Sequence, residues 1–188
     1  MKVVLLSGSP RREGNTVLAL KEVIKGIESM GVETELLTLA GKDIRGCIAC
    51  NACIKLGRCV FDDGLNDMVE KIRSAEGFII GSPVYFGTAR GDVMNFLQRL
   101  GMQHKKNGNF LDGKIGGPVA VARRGGHTAS LQEMQMFFQI CNMTVPGSVY
   151  WNMAFGLQEG DVLNDEEGMN TLFTFGKNVG TLVQKIYG

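Results

Sequence analysis

No apolar run in this 188-residue sequence is long enough to cross a bilayer. The opening MKVVLLSGSPRR has five apolar residues around one lysine before it turns polar, too few for a signal peptide or a spanning helix. Membrane insertion and export are therefore excluded as expectations, and a cytoplasmic location is expected. Charge of one sign is also missing. Twenty Lys and Arg against nineteen Asp and Glu leave +1, which gives no sequence-wide attraction to nucleic acid or anionic membranes. The chain lacks repeats, low-complexity tracts and a proline-rich linker. It also lacks the Gly-Lys-Ser/Thr of a P-loop, a Gly-x-Gly-x-x-Gly fingerprint, a metalloprotease helix motif and a nucleophile elbow. What remains is an ordinary globular composition, 44% hydrophobic and 21% charged, in a length suited to one domain over residues 1–188.

Short apolar runs alternate with helical periods. Val3 to Leu6, Glu33 to Leu39, Phe78 to Ile80, Val119 to Ala122 and residues 144–150 read as five strands. Between them lie helical patterns on Val17, Leu20, Ile24 and Ile27, capped by Asn15 or Thr16, and on Leu65, Met68, Val69 and Ile72. Val93, Phe96, Leu97 and Leu100 mark another helix. Ser130 with Glu133 reads as a capping box before Leu131, Met134, Phe138 and Cys141, and a last helix starts near Asp165. Alternation of this kind predicts an α/β fold with a doubly wound, five-stranded parallel sheet in the flavodoxin-like order 2-1-3-4-5. The Gly/Cys-rich stretch 41–64 is an insertion after strand 2. In such a sheet, ligands sit beyond the carboxyl ends of the strands where the order reverses.

Three loops share that edge. Ser7 to Thr16, with Ser9, Arg11, Asn15 and Thr16, offers hydroxyls, guanidinium groups and a helix N-terminus, the parts of a phosphate site; the plainer reading is a capped turn with solvated arginines. Pro83, Val84, Tyr85, Phe86 and Gly87 can grip a planar heterocycle through aromatic faces and exposed backbone, or simply pack on the core. Arg123, Arg124, Gly125 and Gly126 bring charge and close-approaching amides that would stabilise an anionic reduced flavin, or form a basic turn in which His127 only flanks a helix. Trp151 and Phe155 are expected under a partner subunit or the flavin, or packed on their own core.

The most specific pattern is Cys47-x2-Cys50-x2-Cys53-x5-Cys59, four soft ligands within thirteen residues. Two short spacers and a longer return suit a [4Fe-4S] cluster. Four-thiolate zinc and free or disulfide-linked cysteines remain as alternatives, and Cys141 is expected to be buried in a helix.

The Ser-Gly-Ser-Pro-Arg loop with Gly-Asn-Thr, the compact four-cysteine motif and Ser-Pro-Val-Tyr-Phe-Gly, in that order, resemble the iron-sulfur flavoproteins of the NADPH-dependent FMN reductase group. By that resemblance Ser9, Arg11, Asn15 and Thr16 hold the FMN phosphate, Pro83 to Gly87 line the isoalloxazine, and Cys47, Cys50, Cys53 and Cys59 hold the cluster. It also implies a homodimer or homotetramer in which the cluster of one subunit faces the flavin of a neighbour. The expected activity is electron transfer between a [4Fe-4S] cluster, FMN and a small acceptor, with ferredoxin or NAD(P)H as donor. The alternative is an NAD(P)H-dependent FMN or quinone reductase without a functional cluster.

Overall fold

A computed structural model describes residues 1–188. β1 (Lys2–Ser7), α1 (Asn15–Glu28) and β2 (Glu33–Thr38) form the first β-α-β unit. The Cys-rich segment follows and carries the short α2 (Ala52–Leu56) before α3 (Leu65–Arg73). β3 (Gly77–Tyr85), β4 (Thr88–Ala89) and α4 (Gly91–Lys106) come next, then β5 (Ile115–Ala122), α5 (His127–Ile140), β6 (Met153–Phe155) and α6 (Glu166–Tyr187). The sheet order is β2-β1-β3-β5-β6, all parallel, with β4 added antiparallel to the end of β3. No helix is long and apolar enough to cross a membrane.

Burial on both faces explains the continuous apolar strands. In β1, Val3 and Leu5 point to the face covered by α1 and α6, where they meet Leu20, Val23, Phe175 and Val179. Val4 and Leu6 point to the other face, with Phe78, Phe96, Leu100 and Phe138 from β3, α4 and α5. Each such side chain, removed from water, contributes roughly 1.5–3 kcal/mol. The Phe78 ring stands 6.0 Å from Phe138 and 6.4 Å from Phe96, so α4 and α5, on the same face of the sheet, share an aromatic cluster over β3. The strand ends, and the loops they carry, are fixed by these two cores.

Four local expectations change. The fifth strand lies at Met153–Phe155, whereas in 144–150 only Thr144 bridges the sheet, at Ile115. Pro146 supplies no N–H there, and the Ser148 hydroxyl donates to the Thr171 carbonyl of α6 (2.6 Å), which draws the segment off the sheet. The third strand does not stop at Gly-Ser-Pro but runs on to Tyr85, past the last residue at which β1 pairs with it. α5 begins at His127, so Ser130 sits in its first turn. Glu133 accepts hydrogen bonds from Thr88 Oγ1 and the Ala89 amide and makes no capping box. The residue before α1 is Gly14, and neither Asn15 nor Thr16 caps it.

Candidate functional site

The first loop leaves β1 at a close crossing. A Cβ on Gly8 would fall 2.0 Å from the Val93 side chain at the start of α4, and the Gly8 amide donates to the Gly81 carbonyl at 2.7 Å. Only glycine fits. Two serine turns follow: Ser7 Oγ accepts from the Ser9 amide (3.3 Å), and buried Ser9 Oγ accepts from the Arg11 amide (3.1 Å). The amides of Asn15 and Thr16, first in α1, have no acceptor within the chain and open the positive end of the helix to the loop. The Asn15 side chain is otherwise occupied. Its Nδ2 donates to the Gln158 carbonyl (2.7 Å) and its Oδ1 accepts from the Gly160 amide (2.9 Å), tying the segment after β6 to α1.

The second and third loops lock together. Val84 pairs with Ala89 and Tyr85 with Thr88 across a two-residue turn. Both turn residues have positive φ, +52° at Phe86 and +86° at Gly87, as a primed hairpin turn demands. Gly126, at φ +89° before α5, fits beneath this hairpin, since a Cβ there would lie 2.7 Å from Val84 and 2.8 Å from Gly87. Next to it the buried His127 ring contacts the Ala154 carbonyl through Nε2 (3.1 Å) and the Phe155 ring at 4.4 Å. Burial holds this imidazole below its ordinary pKa, although the Ala154 carbonyl and Asp165 favour the charged form, so it is a neutral structural donor. Ser82 Oγ accepts from the Arg90 amide (2.9 Å), and Arg90 Nη1 donates to the Gly8 carbonyl (3.2 Å) and pairs with Asp92. Burial raises the Asp92 pKa against the pull of Arg90.

One cavity of ≈ 190 Å³ results, lined by Ser9, Arg11, Asn15, Thr16, Pro83, Val84, Tyr85 and Arg123. Phe86, Gly87, Arg124, Gly125 and Gly126 lie outside its lining. Phe86, Arg124 and Gly125 are exposed, and Gly126 supports the hairpin from below. Pro10, Gly14, Val121, Ala122, Gly156 and Leu157 complete the wall. Gly156 and Leu157 follow β6, so their position was legible only to a reading that ended the fifth strand at Phe155. Trp151 is 57% exposed and Phe155 42%, on the open edge of the sheet.

The second constellation is the cysteine segment. Cys47, Cys50, Cys53 and Cys59 line one narrow cavity of ≈ 30 Å³, with Phe61, Arg99, Met102 and Gln103 among its other walls. No three of the chain's His, Cys, Asp and Glu converge closely enough to hold a single metal ion. Ala49 (φ +53°) and Asn51 (φ +57°) flank Cys50 in the left-handed region, and for Ala49 that conformation costs about 1–2 kcal/mol. The Ala49 amide reaches Cys47 Sγ at 3.5 Å. Cys59 is held more firmly. Asn66 accepts from its amide and donates to its carbonyl, both at 3.0 Å. Arg99, only 1% exposed, donates to Cys59 Sγ through Nε (3.3 Å) and Nη2 (3.1 Å) and forms a two-armed pair with Asp63. Burial works against the Arg99 charge, but the hydrogen bonds to Asp63 and Cys59 outweigh it and raise its pKa. A cavity lined by four soft donors, with a buried cation against one sulfur, suits a thiolate-bound anionic group by chemistry. Cys141 stands apart, buried in the core with its thiol pushed up to about 11.

Comparison with known proteins places the chain in a family. Residues 1–158 match the family model described as NADPH-dependent FMN reductase. The chain is similar to an iron-sulfur flavoprotein of Methanocaldococcus jannaschii, 38% identical over 193 residues and 99% of each chain. An iron-sulfur flavoprotein of Archaeoglobus fulgidus is 30% identical over 198 residues, again 99% of each. Among solved structures, a flavone reductase superposes with a TM-score of 0.78 at 19% identity; 99% of this chain matches 64% of that one. A flavodoxin from the domain Archaea gives 0.65 at 15% identity over 98% of this chain and 99% of that one. Fold, loop order and relatives agree: the chain belongs to the iron-sulfur flavoprotein branch of the NADPH-dependent FMN reductase family.

Proposed function

We propose that this FMN-dependent oxidoreductase transfers electrons between a low-potential donor such as ferredoxin and a small-molecule acceptor, using FMN in the strand-end cavity and a [4Fe-4S] cluster on Cys47, Cys50, Cys53 and Cys59. When bound, FMN exchanges one or two electrons and the cluster one, which lets a one-electron donor serve a two-electron acceptor. The observation that carries the reading is the convergence of the free α1 amides, Ser9, Arg11 and Thr16 with the Pro83–Tyr85 wall in one cavity at the reversal of strand order.

Each residue has a definite task in that reading. The first-turn amides of α1 and the Arg11 guanidinium bind the phosphate. Asn15 holds the 156–160 segment so that Gly156 and Leu157 close the cavity. Pro83, Val84 and Tyr85 flank the ring, and Arg123 places positive charge beside it, which favours an anionic reduced form. Phe86 and Gly87 form the hairpin turn and Gly126 supports it from below, while Arg124 and Gly125 add charge and backbone amides near the cavity mouth. The exposed Trp151 and Phe155 belong to a homodimer or homotetramer contact, in one domain that works in the reducing cytoplasm.

A second reading is an NAD(P)H-dependent FMN or quinone reductase whose cysteine segment holds no cluster. The narrowness of the cysteine cavity and the NADPH-dependent family favour it. Anaerobic stopped-flow spectroscopy separates the two. Flavin bleaching by reduced ferredoxin but not by NADPH supports the first, and rapid bleaching by NADPH in protein free of iron supports the second.

A further inference from the structure

α4 presents one stripe to the cysteine segment. Asn95, Arg99 and Gln103 recur every four residues and so share a helix face. Asn95 Nδ2 donates to the Ile44 carbonyl (2.9 Å), Arg99 Nη1 to the Arg45 carbonyl (3.2 Å), and Gln103 Nε2 reaches Asn66 Oδ1 at 3.4 Å. The stripe therefore ties both ends of the segment by hydrogen bonds, and none of these bonds reaches residues 47–53. Within it Arg99 is exceptional, because its fork divides between a carboxylate and a sulfur. Two of its N–H groups face Cys59 Sγ, and no equivalent side-chain donor reaches Cys47, Cys50 or Cys53.

We infer that Arg99 is a positioning residue that fixes the Cys59 sulfur and raises the reduction potential of the group bound there, with Asp63 moderating its charge. The inference rests on the cluster reading above. Reduction adds one negative charge to a thiolate-ligated centre, and hydrogen bonds to the sulfur and nearby positive charge stabilise the more negative state. Asp63 cancels much of the distant field of Arg99 but leaves the directional N–H···S bonds. A lysine retains charge without the planar fork and cannot serve Asp63 and Cys59 together. An arginine that merely neutralised Asp63 would leave the midpoint at its wild-type value once both charges are removed, so the Arg99→Gln, Asp63→Asn double variant discriminates: lost N–H···S bonds predict a midpoint below wild type there.

The test uses the full chain, purified and reconstituted without oxygen. Iron and acid-labile sulfide are assayed, and the cluster midpoint is then followed by mediated redox titration with electron paramagnetic resonance. Expected are full loading in the wild type, a more negative midpoint in Arg99→Gln, a smaller negative shift in Arg99→Lys, and a positive shift in Asp63→Asn. If Arg99→Gln does not fold or load, the opposite signs expected for Arg99→Lys and Asp63→Asn decide. A wild-type midpoint in the loaded Arg99 variants, or a negative shift in Asp63→Asn, overturns the inference while leaving the cluster intact. A wild type that binds no iron and sulfide overturns the cluster reading and the inference with it.

Discussion

The strand-end cavity is lined largely by polar groups and the cysteine cavity largely by apolar ones, and the two are built on opposite principles. The cavity is made by loops that leave fully buried strands. Ser7, Ser9, Ser82 and Thr16 are buried, and glycines at 8 and 126 sit where any side chain would collide. The cysteine segment has no buried residue in α2, carries two left-handed residues around Cys50, and depends on α4 for its anchors. From Arg90, which reaches the first loop, to Arg99, which reaches Cys59, the helix rises roughly 14 Å. One helix thus spaces a site framed by buried loops from a largely exposed one.

Loss of one ligand should break this comparison most sharply. Cys50→Ala is expected to lower bound iron by roughly tenfold or more while FMN content and thermal unfolding stay close to wild type, measured by iron assay, flavin absorbance and circular dichroism. A parallel fall in FMN would mean that the two sites are not independent. Gly8→Ala is the converse. Its Cβ must displace Val93, so unfolding in urea should show a loss of about 1–3 kcal/mol together with weaker FMN binding. Unchanged stability would show that the crossing is soft.

Acid should act next. Burial lowers the pKa of both histidines, His127 beneath the strand-end loops and His104 near the end of α4, where Lys105 also disfavours its charge. The unfolded chain therefore binds more protons than the folded one, and stability falls as pH drops through the ordinary imidazole range near 6.5. The contact of His104 Nε2 with Asp112 at 3.6 Å does not reverse this, because burial keeps the ring neutral. Scanning calorimetry should give a falling Tm from about pH 7 to about pH 5, and a shallower fall in the His104→Gln, His127→Gln double variant. An equally steep fall in that variant assigns the effect to carboxylates. The smallest effect belongs to Lys25→Ala on α1, remote from both sites. Its exposed pair with Glu22 should contribute under about 0.5 kcal/mol in urea unfolding.

Sequence made the strand order and both constellations legible because each rests on local chemistry: apolar runs that end in Ser-Gly-Ser-Pro or Ser-Pro, and a dense cysteine pattern. Where it misled, a long-range contact had overridden a local preference. Asn15 looked like a cap, but the loop after β6 recruits its amide from more than 140 positions away. Glu133 looked like half of a capping box, but the β4 hairpin takes its carboxylate. Residues 144–150 had the composition of a strand, yet Pro146 and the pull of α6 on Ser148 move the pairing to Met153–Phe155, a run too short to be seen by periodicity. Arg99 stood out only by the family resemblance, at Gln98-Arg99 where relatives often carry an acidic residue before the arginine, and its contacts were not legible because its partners Cys59 and Asp63 lie 40 and 36 positions away.

The most direct measurement is the cofactor content of the full chain purified without oxygen and then offered FMN, ferrous iron and sulfide. Two separate sites predict about one FMN together with about four iron and four sulfide per chain, and a yellow-brown protein that keeps its FMN when a chelator strips the iron. Colourless protein that takes up no FMN would contradict the account at its root.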